Sequence, residues 1–257
     1  MPDLELLISV AEEAAHIAVP LANGRADMWE KSGGAGPVTE ADLAVNAMLE
    51  ARLKAARPDY GWLSEETEDD PKRLQKPACF ILDPIDGTRS FIAGEPSWAH
   101  SFATVQNGQV TAAVIYLPML KRMYTATLSG GAMLNGKKIE VRKGRQLAEA
   151  DILAAKPALE PTHWSGGKVP AFERHHRPSL AYRMALVAEG SFDGMITFRD
   201  TWEWDICAGA LIAAEAGGLV SDRLGQALHF NRATAMTKGV IAAPHVLHRE
   251  ILAQLDV

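Results

Sequence analysis

The sequence predicts a mixed α/β (α+β) fold, and three observations carry that reading. Residues 3–22 place Leu4, Leu7, Ile8, Ala11, Ala15 and Ala18 at helical spacing. Between residues 78 and 141 the apolar period shortens to that of strands and is broken by Asn107-Gly108 and Asn135-Gly136, dipeptides that close tight hairpins. After residue 146 strand-like and helix-like runs alternate, which is the pattern of an α/β layer.

The elements follow in chain order. The first helix opens at Asp3. Thr39 caps a second, because its hydroxyl can accept from an amide the helix leaves unpaired, and Pro58 ends it by disfavouring helical geometry in the residue before it. Strands are expected over 78–82, 100–106, 109–117, 122–127 and 132–141. Ile152-Leu153-Ala154 reads as a short strand, and 160–177, rich in Pro, Gly and His, as a loop with a short helix. Residues 179–189 and 205–216 read as helices stopped by Gly190 and Gly217, which tolerate the left-handed conformation that terminates helices. Strands near 192–198, 219–222 and 239–243 and a closing helix over 244–256 complete the chain.

Composition excludes several classes. A chain of 257 residues, 47% apolar and 23% charged, has an ordinary globular balance and length enough for one large domain or two small ones. Net charge is −6 and no Lys/Arg run supplies the basic stripe that a nucleic acid polymer needs. Cys79 and Cys207 lie inside apolar segments without Cys-x-x-Cys spacing, so they read as reduced core residues. No charged start precedes an apolar run at the N-terminus and no stretch reaches about 18 apolar residues, so neither a leader nor a membrane span is expected and the location expected is cytoplasmic. Residues 131–137 match nucleotide-loop spacing, but Lys138 stands where Ser or Thr is required and the context is a hairpin. The histidines include the pair His175-His176 but no His-x-x-x-His, and read as loop residues; no Gly-x-Ser-x-Gly elbow exists, and Ser191 reads as part of a turn.

The chemistry concentrates at Asp83-Pro84-Ile85-Asp86-Gly87-Thr88, which follows the apolar run Cys79-Phe80-Ile81-Leu82. A buried strand there delivers two carboxylates and a hydroxyl to one mouth, where oxygen ligands suit a hard cation such as Mg²⁺. If Gly87 and Thr88 open a helix, their amides would face an anion beside that cation. Taken alone, Asp-Pro and Asp-Gly pairs are turn formers. Three further segments change that reading. Ser64-Glu65-Glu66 follows Trp62-Leu63, Lys31-Ser32 leads through a Gly-rich loop to Pro37-Val38-Thr39-Glu40-Ala41-Asp42, and Trp204-Asp205-Ile206-Cys207-Ala208-Gly209-Ala210 precedes an alanine-rich run ending at Gly217-Gly218.

In this order the four segments resemble the inositol monophosphatase superfamily of Mg²⁺-dependent, lithium-sensitive phosphomonoesterases. The likeness extends from Lys31 to Gly218 and rests on two motifs that neither composition nor periodicity would generate together. It implies an αβαβα layered sandwich, with an N-terminal α+β half (1–145) carrying most metal ligands and a C-terminal α/β half (146–257) carrying Asp205 and the substrate-specificity residues. It also implies a small phosphorylated substrate, and because dimers are common in that family a homodimer is compatible with it. The metal ligands it implies are Glu65, Asp83, the carbonyl of Ile85, Asp86 and Asp205, holding two or three Mg²⁺ ions, roughly 3.5–4 Å apart in a two-metal arrangement. Thr88 with Asp42 would orient a water and take its proton, with Glu65 also in the catalytic set and Lys31 and Glu66 supporting it. Gly87, Thr88 and Asp205 would face the substrate's phosphate.

The substrate is read from departures within that resemblance. Leu63-Ser64-Glu65-Glu66, 37–44 and 186–190 look like the bacterial branch that hydrolyses adenosine 3′,5′-bisphosphate. Seven residues before Asp205, where inositol phosphatases place a Glu for sugar hydroxyls, stands Phe198, followed by Arg199. An aromatic and a cation suit a nucleotide's base and second phosphate, and Arg183 is a second phosphate contact in the same reading. The expectation is a 3′(2′),5′-bisphosphate nucleotidase. The alternatives are an inositol-1-monophosphatase, another small-molecule phosphatase such as one for histidinol phosphate, or a regulatory binding protein without turnover.

Overall fold

In the computed structural model, which describes residues 1–31, 33 and 36–256, the first element is α1 (Asp3–Leu21). Ser32, named with Lys31 above, lies outside the described residues. Asp3 is its first residue, after Pro2, as expected, and its carboxylate accepts from Arg57 Nε (3.0 Å) and Tyr60 Oη (3.1 Å). Leu7, Val10, Ala11, Ala14 and Ala18 form its buried stripe. The hairpin of β1 (Met28–Glu30) and β2 (Pro37–Thr39) then leads into α2 (Glu40–Ala56). Thr39 caps α2 in a full capping box with Asp42, so a local helix signal and a buried carboxylate arise from the same three-residue spacing.

Next come β3 (Gly61–Ser64), β4 (Ala78–Asp86), α3 (Thr88–Ala93), β5 (Ala99–Gln106), β6 (Gln109–Leu117), β7 (Arg122–Thr127), β8 (Gly131–Leu134) and β9 (Lys137–Lys138). They form a seven-stranded sheet in the order β3-β4-β5-β6-β7-β8-β9. Strands β6 and β7 have the bounds the periodicity predicts, and both Asn-Gly turns carry positive φ at Asn and Gly, as tight hairpins require. The strand expected over 132–141 is two short strands, because the turn at Asn135 and Gly136 divides it.

The remaining elements are β10 (Asp151–Ala154), β11 (Glu173–His175), α4 (Leu180–Ala188), β12 (Gly194–Thr197), β13 (Thr201–Trp202), α5 (Glu203–Glu215), β14 (Gly218–Ser221), β15 (Met236–Thr237), β16 (Val240–Pro244) and α6 (His245–Ala253). Five of these strands pair in the order β11-β10-β12-β16-β14, and β13 pairs separately with β15. Strand β11 lies inside the stretch expected as a loop with a short helix, and α5 begins two residues earlier than expected, at Glu203.

Packing arranges these elements as an αβαβα sandwich. Helices α1 and α2 cover one face of the seven-stranded sheet, α4 and α5 lie between the two sheets, and α6 covers the far face of the five-stranded sheet. Helices α4 and α5 can approach closely because Gly209 carries no side chain: a Cβ there would stand 2.6 Å from Met184 Cβ. That close pair brings the start of α4 and the start of α5 toward the end of β4. Among the described residues no helix is long and apolar enough to cross a membrane.

Candidate active site

Strand β4 is buried along its whole length, and its pairing with β5 shifts register between Asp83 and Asp86. An irregularity of this kind re-aims side chains, and here it turns both carboxylates into one cleft. The Asp83 carboxylate accepts from the amide of Ile85 (2.9 Å), and the Ile85 carbonyl accepts from the Thr88 hydroxyl (3.2 Å). Gly87, at φ +98°, provides the left-handed turn by which the chain leaves β4 and enters α3 at Thr88.

Asp205, in the first turn of α5, reaches the same point from the other half of the chain. Carboxylate oxygens of Asp83, Asp86 and Asp205 lie within 4.8 Å of one another. Burial holds the Asp83 and Asp205 carboxyls well above the ordinary carboxylate range, and repulsion among Glu65, Asp86 and each other adds to it. Asp86 is pushed up to about 6 by burial, against hydrogen bonds that favour its charged form. Those bonds come from α4: Ser179 Oγ and the Ala181 amide both donate to Asp86 Oδ2 at 2.6 Å. Sequence reading missed this clamp, since it joins residues far apart along the chain; the only local signal was Ser179 at a helix start.

A hard cation fits this donor set. Three inward-facing carboxylates and a nearby backbone carbonyl are what Mg²⁺ coordinates, and a cation would relieve the repulsion that raises their proton affinity.

Glu65 follows β3 at the rim of the cleft, where Lys31 Nζ binds it at 2.8 Å and Glu66 at 2.7 Å. Burial works against the Lys31 charge, but the two carboxylates outweigh it and raise its proton affinity. Glu66 is not an exposed loop carboxylate: its side chain is buried, which pushes it up to about 7 despite Lys31. Asp42 is fully buried. Its Oδ2 accepts from the Thr39 amide (2.8 Å) and hydroxyl (2.5 Å), while Oδ1 is buried without a partner. Burial lifts Asp42 to about 6, and the Thr39 bonds oppose that shift. The Thr88 hydroxyl is engaged with Ile85 and Asp42 with Thr39, so the two are not hydrogen-bonded to each other.

The cleft encloses about 640 Å³. Lys31, Glu65, Asp83, Ile85, Asp86, Gly87, Thr88, Arg183, Arg199 and Asp205 all line it, so most of the residues singled out in the sequence come together. Arg89, His176, Trp202 and Trp204 line it as well and were not assigned there from sequence. Arg183 is almost fully buried and is held by the Arg177 carbonyl and by His176 Nε2 (3.0 Å). Burial lowers it to about 10, and neighbouring Arg199 acts in the same direction.

Phe198 requires a correction, because it does not face the cleft. It is 3% exposed and packs against His163 and Trp164, with ring centroids 5.1 and 5.5 Å away. The reason is strand alternation: Ile196 and Phe198 share one face and enter the core beneath α6, while Met195 points to the layer of α4 and α5.

Comparison with known proteins agrees with this geometry. The profile described as the inositol monophosphatase family matches residues 3–256. The inositol-1-monophosphatase of Rhizobium meliloti is 36% identical over 202 residues, covering 75% of this chain and 74% of that protein. A protein of Thermotoga maritima named fructose-1,6-bisphosphatase/inositol-1-monophosphatase is 30% identical over 259 residues, covering 98% and 95%. Among solved structures, the extragenic suppressor protein suhB of Bartonella henselae superposes with a TM-score of 0.84 at 27% identity, covering 97% of this chain and 96% of that one.

Proposed function

The chain belongs to the inositol monophosphatase family, and on that premise we propose that it removes one phosphate from a small substrate carrying two, a 3′(2′),5′-bisphosphate nucleotide such as adenosine 3′,5′-bisphosphate. It is a metal-dependent phosphomonoesterase of a family that uses Mg²⁺. The single observation favouring two phosphates is the pair Arg183 and Arg199. Both line the acidic cleft, and among the described residues neither forms a salt bridge with a carboxylate of the chain. Two guanidinium groups without a carboxylate partner beside a phosphoryl-transfer site suit a second phosphate, which each can hold by charge-assisted hydrogen bonds.

In this reading Asp83, Asp86 and Asp205 would hold the metal, with Glu65 and the Ile85 carbonyl lining the same cleft. Mg²⁺ bound there supplies Lewis acidity to the phosphoryl group and the attacking water. Asp42 is the proton acceptor this reading assigns to that water: it is not among the residues lining the cleft, and the support is its buried Oδ1, which has no other partner. Thr88 orients the water while its own hydroxyl is anchored on Ile85. Water oxygen bonds to phosphorus, the ester P–O bond breaks, and the products are an alcohol and inorganic phosphate. Ser179 and the Ala181 amide keep the Asp86 carboxylate in one orientation within the acidic cluster. Lys31 fixes Glu65 and Glu66 in the same way.

The second reading is inositol 1-phosphate, favoured by the names of relatives such as that of Rhizobium meliloti. Against it stands position 198, where the buried Phe198 offers no carboxylate to sugar hydroxyls. Replacing Arg183 or Arg199 by Ala separates the two. A charge-assisted contact worth about 1.5–3 kcal/mol corresponds to roughly a ten- to hundredfold rise in KM for adenosine 3′,5′-bisphosphate. Inositol 1-phosphate, lacking the second phosphate, should suffer much less. Equal losses on both substrates would refute the second-phosphate assignment.

A further inference from the structure

With Phe198 buried, the aromatic surface that a nucleobase would need must come from elsewhere in the cleft. Trp202 is 41% exposed and lines the cleft with Arg183, Arg199 and Asp205. Its ring is stacked on that of Trp204, with centroids 4.6 Å apart and planes within 10° of parallel. Trp204 is in turn packed against the core of buried residues around α5. The backbone beneath the pair is fixed as well: Trp202 pairs with Met236 and Thr201 with Thr237, and the Thr201 hydroxyl donates to the Arg199 carbonyl at 3.0 Å. The result is a two-ring stack with one indole face backed by protein, in the cleft that the metal-binding carboxylates and the arginine pair also line.

We propose that Trp202 is a specificity-determining residue, the platform on which the planar heterocyclic ring of the substrate stacks. The inference rests on the nucleotide reading above and adds to it the group that recognises the base. Phosphate contacts alone would accept any doubly phosphorylated small molecule, because they see charge and not the rest of the ligand. A preformed aromatic face discriminates, since stacking favours a flat, polarisable ring and loses little side-chain entropy when the indole is already immobilised. Trp202 immediately precedes α5, which carries Asp205, so the platform is positioned by the same helix start as a metal-binding carboxylate.

The test compares adenosine 3′,5′-bisphosphate with glycerol 2-phosphate, which has no ring, in the unmodified enzyme and in Trp202→Ala and Trp202→Phe. The ratio of the two kcat/KM values should fall about five- to hundredfold in Trp202→Ala, the range expected for loss of one base-stacking contact. Trp202→Phe should keep most of the ratio. Titration with adenosine 3′,5′-bisphosphate should also quench a component of tryptophan fluorescence that Trp202→Phe lacks. A ratio unchanged in Trp202→Ala overturns the platform, and so does a loss on both substrates accompanied by a change of oligomeric state, which would place Trp202 between copies of the chain. If the unmodified enzyme hydrolyses glycerol 2-phosphate with Mg²⁺ but neither binds nor hydrolyses adenosine 3′,5′-bisphosphate, the nucleotide reading fails together with the platform, and the family assignment stands.

Discussion

At the scale of single residues, the proposed mechanism assigns one set of groups to the metal and another to the water. Asp83→Asn preserves shape but removes a charge from the three-carboxylate cluster, so turnover should drop by several orders of magnitude together with Mg²⁺ affinity. Thr88→Ala and Asp42→Asn should lower kcat by roughly 10²–10⁴-fold while the Mg²⁺ concentration for half-maximal activity moves far less, because these groups address the nucleophile's proton. Magnesium titrations of all three variants check this, and an equal shift in Mg²⁺ dependence for all three would reassign Thr88 and Asp42 to the metal. The positions of Asp83, Asp86, Glu65 and Asp205 were legible because each motif carries its chemistry within a few residues. Trp202 was legible in principle, since Thr201-Trp202-Glu203-Trp204 places two indoles two residues apart. The clamp of Ser179 and Ala181 on Asp86 was not, because only the packed fold brings β4 and α4 together.

At the scale of elements, the strongest signals were those with redundant physics behind them. Strands β6 and β7 had an alternating pattern and well-formed turns, and α2 had a capping box; all three lie where expected. The hairpin of β1 and β2 escaped because the three residues of β1 are all exposed, which leaves no buried face for the pattern to report. Strand β11 escaped because it is a short edge strand with no fully buried residue. The junction of α6 and β14 yields a stability prediction. Ser221 Oγ donates to the Asp222 carbonyl and so accepts from His248 Nε2 at 2.8 Å, leaving Nδ1 buried without a partner. Burial, aided by His245, lowers His248 to about 4. The unfolded chain, with an ordinary value of about 6.5, takes up the proton first. This contribution to stability is therefore complete above about pH 6.5 and is lost as pH falls toward 4. Denaturant unfolding at a series of pH values should show a shallower acid decline for His248→Leu across that window, and an unchanged slope would contradict a buried neutral His248.

At the scale of the whole molecule, the sandwich brings the ends of several elements from both sheets to one cleft. The layer order followed from resemblance to a family. What local patterns could not reveal is that α4 and α5, near neighbours in sequence, serve as the shared layer between two sheets, because that depends on faces buried on both sides. Their position explains why a site assembled from Glu65, Asp83 and Asp205 needs nearly the full chain. It also explains why Phe198, one residue before Arg199, belongs to a different core. The most direct measurement is kcat/KM for adenosine 3′,5′-bisphosphate and inositol 1-phosphate, side by side, with Mg²⁺ and after chelation. Both activities should require Mg²⁺, and the bisphosphate should be preferred about ten- to hundredfold. Full turnover after chelation, or a preference for inositol 1-phosphate, would contradict the assignment.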